Sequence, residues 1–130
     1  MPLVRINPTG IAPPAARYEH AVLAKSVSRI LHTSGIVPVK QDGTVPEGIS
    51  DQAEVIWLNI REILKEASMG ITDITLVTTY VVPDQDLSMV MAARDETFGS
   101  HQAASTLLVV SELAQKSWKM EIAVVAISDS

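Results

Sequence analysis

The segment Met120-Glu121-Ile122-Ala123-Val124-Val125-Ala126-Ile127 constrains this chain more than any other. It is apolar at nearly every position, so as a strand it presents hydrophobic side chains to both faces of its sheet. Thr106-Leu107-Leu108-Val109-Val110 has the same character. Two apolar faces need two covers, and the rest of the sequence offers helices for only one.

The strongest helical pattern starts at Asp51, which with Glu54 resembles a capping box. Apolar residues recur at Ala53, Ile56, Trp57, Ile60, Ile63, Leu64 and Ala67, the spacing of one buried helix face, and Gly70 is placed to end the helix. Residues 74–82 (ITLVTTYVV) read as an interior strand stopped by Pro83. A second helix is expected from Asp84 or Asp86, carrying Leu87, Val90, Met91 and Phe98 and ending at Gly99. Before them come short strands over 3–7, 20–27 and 29–34. The intervening IAPPAA cannot be a helix interior, because Pro13 and Pro14 lack amide donors. Strands over 106–113 and 120–127 complete the order β-β-β-α-β-α-β-β, which predicts an α+β fold with both helices on one face of a sheet. The uncovered face predicts homo-oligomerisation.

At 130 residues the chain is expected to form one domain, 1–130. Its 47% hydrophobic and 19% charged residues are a globular balance and argue against disorder. A net charge of −5 repels phosphate backbones and anionic membranes, so neither nucleic acid nor a membrane is an expected partner. No stretch approaches the roughly 20 apolar residues of a membrane span. Cysteine is absent, which removes disulfides, thiolate nucleophiles and Cys-based zinc sites. With no export signal in MPLVRINPTG, the expected location is cytoplasmic.

His20, His32 and His101 do not fall at ligand spacing, so no metal is expected; His32, inside a strand, reads as a structural histidine. No G-x-S-x-G, P-loop or G-x-G-x-x-G is present. Glu121 stands out physically. Alternation puts it on the face of Ala123, Val125 and Ile127, where a carboxylate must be paired, protonated or lining a cavity. A place on the strand's wet rim beside Lys119 is the bland alternative. Tyr18 follows the proline loop, which either presents its hydroxyl to a cleft or leaves it a half-buried aromatic with a wet tip.

Several segments in register resemble the RidA/YjgF family of reactive intermediate deaminases. Pro14-Ala15-Ala16-Arg17-Tyr18-Glu19-His20-Ala21-Val22 is similar to the family's proline loop and "GPYSQAV", and Ser34-Gly35-Ile36-Val37-Pro38 to its "SGQIP". Residues 51–67 resemble its first helix, with Asn59, Ile63 and Leu64 in place, and residues 73–80 its "DVVKTTVY". Ser105-Thr106 resembles "RST", and Glu121-Ile122-Ala123 the final "EIEAIA".

The resemblance implies a chorismate-mutase-like (YjgF-like) α+β fold assembled as a homotrimer, with small-molecule clefts between subunits. It also implies enamine or imine hydrolysis without metal or cofactor. Carried over, Tyr18, Ser34 and Gly35 line the cleft, Glu121 holds the attacking water, and Ser105 and Thr106 belong to the neighbouring wall. His101 assists if its loop folds inward. Two departures stand out. Ala104 occupies the place of the family's carboxylate-binding arginine, and a methyl group cannot replace a guanidinium fork. Val90-Met91 replaces a polar "VN", which makes the substrate-binding wall at Met91 more apolar. Arg17 and Arg94 are the nearest other arginines; either reaches a cleft from another direction or, as the plainer reading, both are surface charges. The expected ligand is therefore a small imine or carboxylate outside the usual 2-imino acids. The alternative is a trimer that binds a small ligand or partner and has lost the chemistry. A nuclease is opposed by the charge.

Overall fold

The computed structural model describes residues 3–129. In chain order the elements are β1 (Leu3–Ile6), β2 (Ala21–Ala24), β3 (Arg29–His32), α1 (Ile49–Glu66), β4 (Ile74–Val81), α2 (Leu87–Phe98), β5 (Ala104–Val109) and β6 (Met120–Ser128). One 3-10 turn, Ile71–Asp73, leads into β4. The expected element order is observed, and the fold is α+β. The expected single sheet is not. β1 and β2 form their own antiparallel pair, while the other strands make a four-stranded sheet in the order β3-β6-β4-β5, parallel only between β4 and β5. A bridge between Glu19 and Ala104 links the two sheets.

Alternation along β6 divides the sheet. Met120, Ile122, Val124 and Ala126 are buried against the helices, with Ile74, Val77 and Val81 of β4 beside them. The helices supply Ala53, Ile56, Trp57, Ile60 and Leu64 from α1 and Val90 and Phe98 from α2. Those α1 positions recur at three and four residues, so the 18-residue helix buries one continuous stripe. Ile56 and Ile60 are fully buried, and each contributes roughly 1.5–3 kcal/mol of transfer free energy. Trp57 meets Phe98 edge-on at 5.4 Å, which locks the two helices together.

The helix ends differ from the sequence reading. α1 begins two residues earlier than expected, with Gly48 as N-cap and no side-chain cap, so Asp51 sits in the first turn and favours the helix only through its charge. At the other end Ser68, not Gly70, takes the left-handed conformation, with φ 56°. Met69 N–H donates to the Leu64 carbonyl at 2.8 Å and Ser68 N–H to the Lys65 carbonyl at 3.0 Å, a Schellman closure. For α2 the expectation stands: Asp86 caps it and Gly99, with φ 59°, ends it.

Strand lengths are shorter than the apolar runs suggested. β2 stops at Ala24 and β5 at Val109, because Ser26 adopts φ 57° and the chain after Val110 leaves the sheet. The outer sheet face carries Ala123 and Val125, both half-buried, with Ile30 61%, Leu76 38% and Leu108 45% exposed around them.

Candidate functional site

β3 and β6 fall out of step just beyond their paired region. His32 opposes Val125, yet Ile36 opposes Ile122, so four residues on one side span three on the other. This is a β-bulge, a device that re-aims side chains at the margin of a sheet. Thr33 fills the interruption: its N–H donates to the Val124 carbonyl at 3.0 Å and its Oγ1 accepts from Val124 N–H at 2.9 Å. The bulge brings Gly35 onto the Glu121 carboxylate. A methyl group built on Gly35 would fall 1.8 Å from Glu121 Oε2 and 2.9 Å from its Cδ. Only glycine permits that approach.

Glu121 is half-buried and opposes Tyr80 of β4, which in turn opposes Leu108 of β5. Around Gly35 and Glu121 lies a pocket of about 270 Å³, completed by Tyr80, Ala123, Val110, Glu112 and Leu113. The carboxylate thus lines a concave surface of phenol and aliphatic groups. Ser34, adjacent to Gly35, is exposed at its edge.

The other expected residues gather elsewhere. Glu19 N–H donates to the Ala103 carbonyl at 3.0 Å, so Tyr18 sits at the start of β5. Its hydroxyl accepts from Ala15 N–H at 3.2 Å, and its ring stands edge-on to His20 at 6.1 Å. Ser105 opposes the buried Val77 and so faces the helix layer, where its Oγ accepts from Arg94 Nη1 at 3.2 Å. Thr106 opposes Thr78 and is exposed. His101 Nε2 donates to the Ile74 carbonyl at 2.7 Å, and its ring packs 5.6 Å from Phe98. Met91 is half-buried on α2.

Ala104 and Leu108 are four residues apart on β5, so about 13 Å separates the Tyr18 end of the sheet from the Glu121 end. One chain unites Ser34, Gly35 and Glu121. It does not bring Tyr18, Met91, His101, Ser105 or Thr106 to them.

One charge assignment is corrected and one stands. Arg94 is not a surface charge: it is 7% exposed, holds Asp95 Oδ1 through Nε at 3.2 Å and Nη2 at 3.1 Å, and spends Nη1 on Ser105. Arg17 is exposed, yet it donates to the Gly99 carbonyl and lies 4.0 Å from Asp95. His32, expected within a strand, is its last residue and is exposed.

Three comparisons bear on this arrangement. The family model described as Endoribonuclease L-PSP matches residues 9–128. The chain belongs to this family. Its RidA/YjgF character is shown by its relatives. TdcF of Escherichia coli strain K12, named a candidate reactive intermediate deaminase, is 28% identical over 101 residues, covering 75% of this chain and 78% of TdcF. YyfB of Yersinia pestis, a Rid-family protein of unknown function, superposes with a TM-score of 0.85 at 25% identity, over 98% of this chain and 100% of that one. The YjgF gene product of E. coli gives a TM-score of 0.71 at 27% identity over 88% and 90% of the two chains. Relatives named as reactive intermediate deaminases support a general deaminase role for the RidA/YjgF fold. Among the described residues no three His, Asp or Glu side chains converge as metal ligands do, and no helix is long and apolar enough to cross a membrane.

Sequence reasoning missed Tyr80, Val110, Glu112 and Leu113. Tyr80 was within reach through alternation along 74–82, but its partner depends on the β4–β6 register, which no local signal encodes. Glu112 and Leu113 were hidden by reading the strand through to 113.

Proposed function

We propose that this RidA/YjgF member hydrolyses an enamine or imine in the pocket beside Gly35, with Glu121 as general base. The seating of the Glu121 carboxylate against Gly35 in a small concave site carries this reading. A carboxylate held there accepts a proton from water as the water attacks the C=N carbon and passes it to nitrogen, then moves the hydroxyl proton the same way as the C–N bond breaks and ammonia leaves. Tyr80 and Ser34 orient the substrate from the same chain.

The active form is a homotrimer in which the outer sheet faces pack together and the cleft lies between subunits. Tyr18 and the exposed Thr106 belong to the facing wall, supplied by a neighbouring copy, whereas Met91, His101 and Ser105 stay on the helix side of their own sheet. Exposed Ile30, Leu76 and Leu108 on that sheet face support association. With Ala104 in place of a guanidinium, the substrate differs from the usual 2-imino acids.

Ala104 also favours a second reading, a trimer that binds a small ligand without turning it over. Glu121→Gln separates the two, because it preserves shape while removing the base. In a screen of imines generated in situ, turnover should fall roughly 10²–10⁴-fold with assembly unchanged. Full activity in the variant would exclude Glu121 from the chemistry.

A further inference from the structure

We propose that the Glu121 pocket selects a positively charged, carboxylate-free imine: an iminium derived from an amine or diamine rather than from an amino acid. The proposal rests on the hydrolase reading above and assigns its substrate class. Two carboxylates, Glu112 and Glu121, line the pocket, and no Lys, Arg or His is among its lining residues. A substrate carboxylate would enter beside two like charges, the exposed Glu112 and the half-buried Glu121, with no cation among this chain's lining residues to offset them. Arg17 and Arg94, the nearest other arginines in the segments that resemble the family, already hold partners. Arg94 is buried on the helix side of the sheet with Asp95 and Ser105, and Arg17 is held by Gly99 and the same Asp95. The chain's charge of −5 adds a field of the same sign, attracting cations and repelling anions.

The chemistry suits a cation. A protonated C=N carbon is the more electrophilic form, and Glu112 offsets its charge while Glu121 takes the proton from attacking water. The C–O bond forms and gives a neutral carbinolamine. Glu121 then returns its proton to nitrogen, and as the C–N bond breaks its carboxylate takes the hydroxyl proton; a carbonyl compound and ammonia leave, and Glu121 gives up that last proton to ammonia or water. Atoms and electrons balance with water as the only co-reactant.

The test compares three imines of one carbon length, each produced in situ by a flavoprotein oxidase: 3-aminopropan-1-imine from 1,3-diaminopropane, propan-1-imine from propylamine, and 2-iminopropionate from alanine. Carbonyl release is measured above the spontaneous rate. The expected order of kcat/KM is diamine-derived, then propylamine-derived, then alanine-derived, with at least tenfold between first and last. Glu112→Gln should compress that span about tenfold. Hydrolysis of 2-iminopropionate as fast as the others, and abolished by Glu121→Gln, overturns the charge assignment while Glu121 keeps its role. If no imine is turned over, binding decides. Binding of 1,3-diaminopropane, seen by nuclear magnetic resonance and weakened by Glu112→Gln, upholds the charge assignment and removes the hydrolase reading. Binding of propionate in its place overturns the assignment, as does no binding of either.

Discussion

Tyr80 stands directly opposite Glu121 across the β4–β6 ladder, and both side chains enter the same pocket. Facing residues on antiparallel strands hold their Cβ atoms about 5 Å apart, so the phenol and the carboxylate share whatever molecule occupies the space between them. Tyr80→Phe keeps the ring and removes the hydroxyl. Turnover of the preferred imine should fall about tenfold, the worth of one hydrogen bond to a charged reacting centre. An unchanged kcat/KM would reduce Tyr80 to a wall.

Gly35→Ala tests the close approach. The added methyl would overlap Glu121 Oε2, so the carboxylate must swing away, while the backbone of the bulge can stay. Activity should drop at least tenfold, with the melting temperature within a few degrees of the parent. If activity survives, the carboxylate does not work from the position it holds here.

Gln52 is fully buried and ties three backbone groups together. Nε2 donates to the carbonyls of Pro46 and Ser117, and Oε1 accepts from Lys119 N–H, each at 2.8 Å. Gln52→Leu leaves these groups without partners and should cost about 2–4 kcal/mol in urea unfolding. Because Lys119 is two residues before Glu121, the variant should also weaken turnover at temperatures where it remains folded.

Asp86 gives a pH signature. The Ser88 hydroxyl and N–H both donate to its carboxylate and hold its pKa below the ordinary range. A depressed folded-state pKa contributes stability that is present above the unfolded value, near pH 4, and is lost as pH falls through the folded one. Asp86→Asn should therefore flatten the acid limb of the stability curve below about pH 4. An unaltered limb would assign acid sensitivity to other carboxylates.

Assembly is tested on the outer sheet face. Ile30 is 61% exposed and opposes Ile127, so Ile30→Lys places a charge in the proposed trimer contact. The parent should sediment as a trimer at micromolar concentration and the variant as a smaller species. A parent that stays folded and monomeric on dilution contradicts the assembly.

The layers were legible in the sequence because period-two and period-3.6 patterns report burial directly. Met120, Ile122 and Val124 in the strand, and Ile56 and Ile60 in the helix, name their own partners. Glu121 was legible for the same reason, as a charge out of place in an apolar row. What escaped depends on pairing between distant segments. Ser68 closes α1 through backbone bonds that any residue able to adopt positive φ can make, so Gly70 was the obvious choice and the wrong one. Arg94 looked exposed because nothing local announces that Asp95 and Ser105 will receive its guanidinium. The separation of Tyr18 from Glu121 follows from sheet order, which becomes visible only once β5 is known to run parallel beside β4.

The surplus residue between His32 and Ile36 acts as a phase marker for the whole edge of the sheet. Upstream of it β3 keeps one parity with β6, and downstream the parity is reversed. Removing any one residue of 33–35 would restore ordinary pairing and slide the following segment by one position. Serine, glycine or threonine would then trade faces, and the gap that receives the Glu121 carboxylate would close. Sequence length in this short stretch is therefore as binding a constraint as sequence identity, whereas the turn at Asp42–Thr44, an exposed loop tip, is free to lengthen.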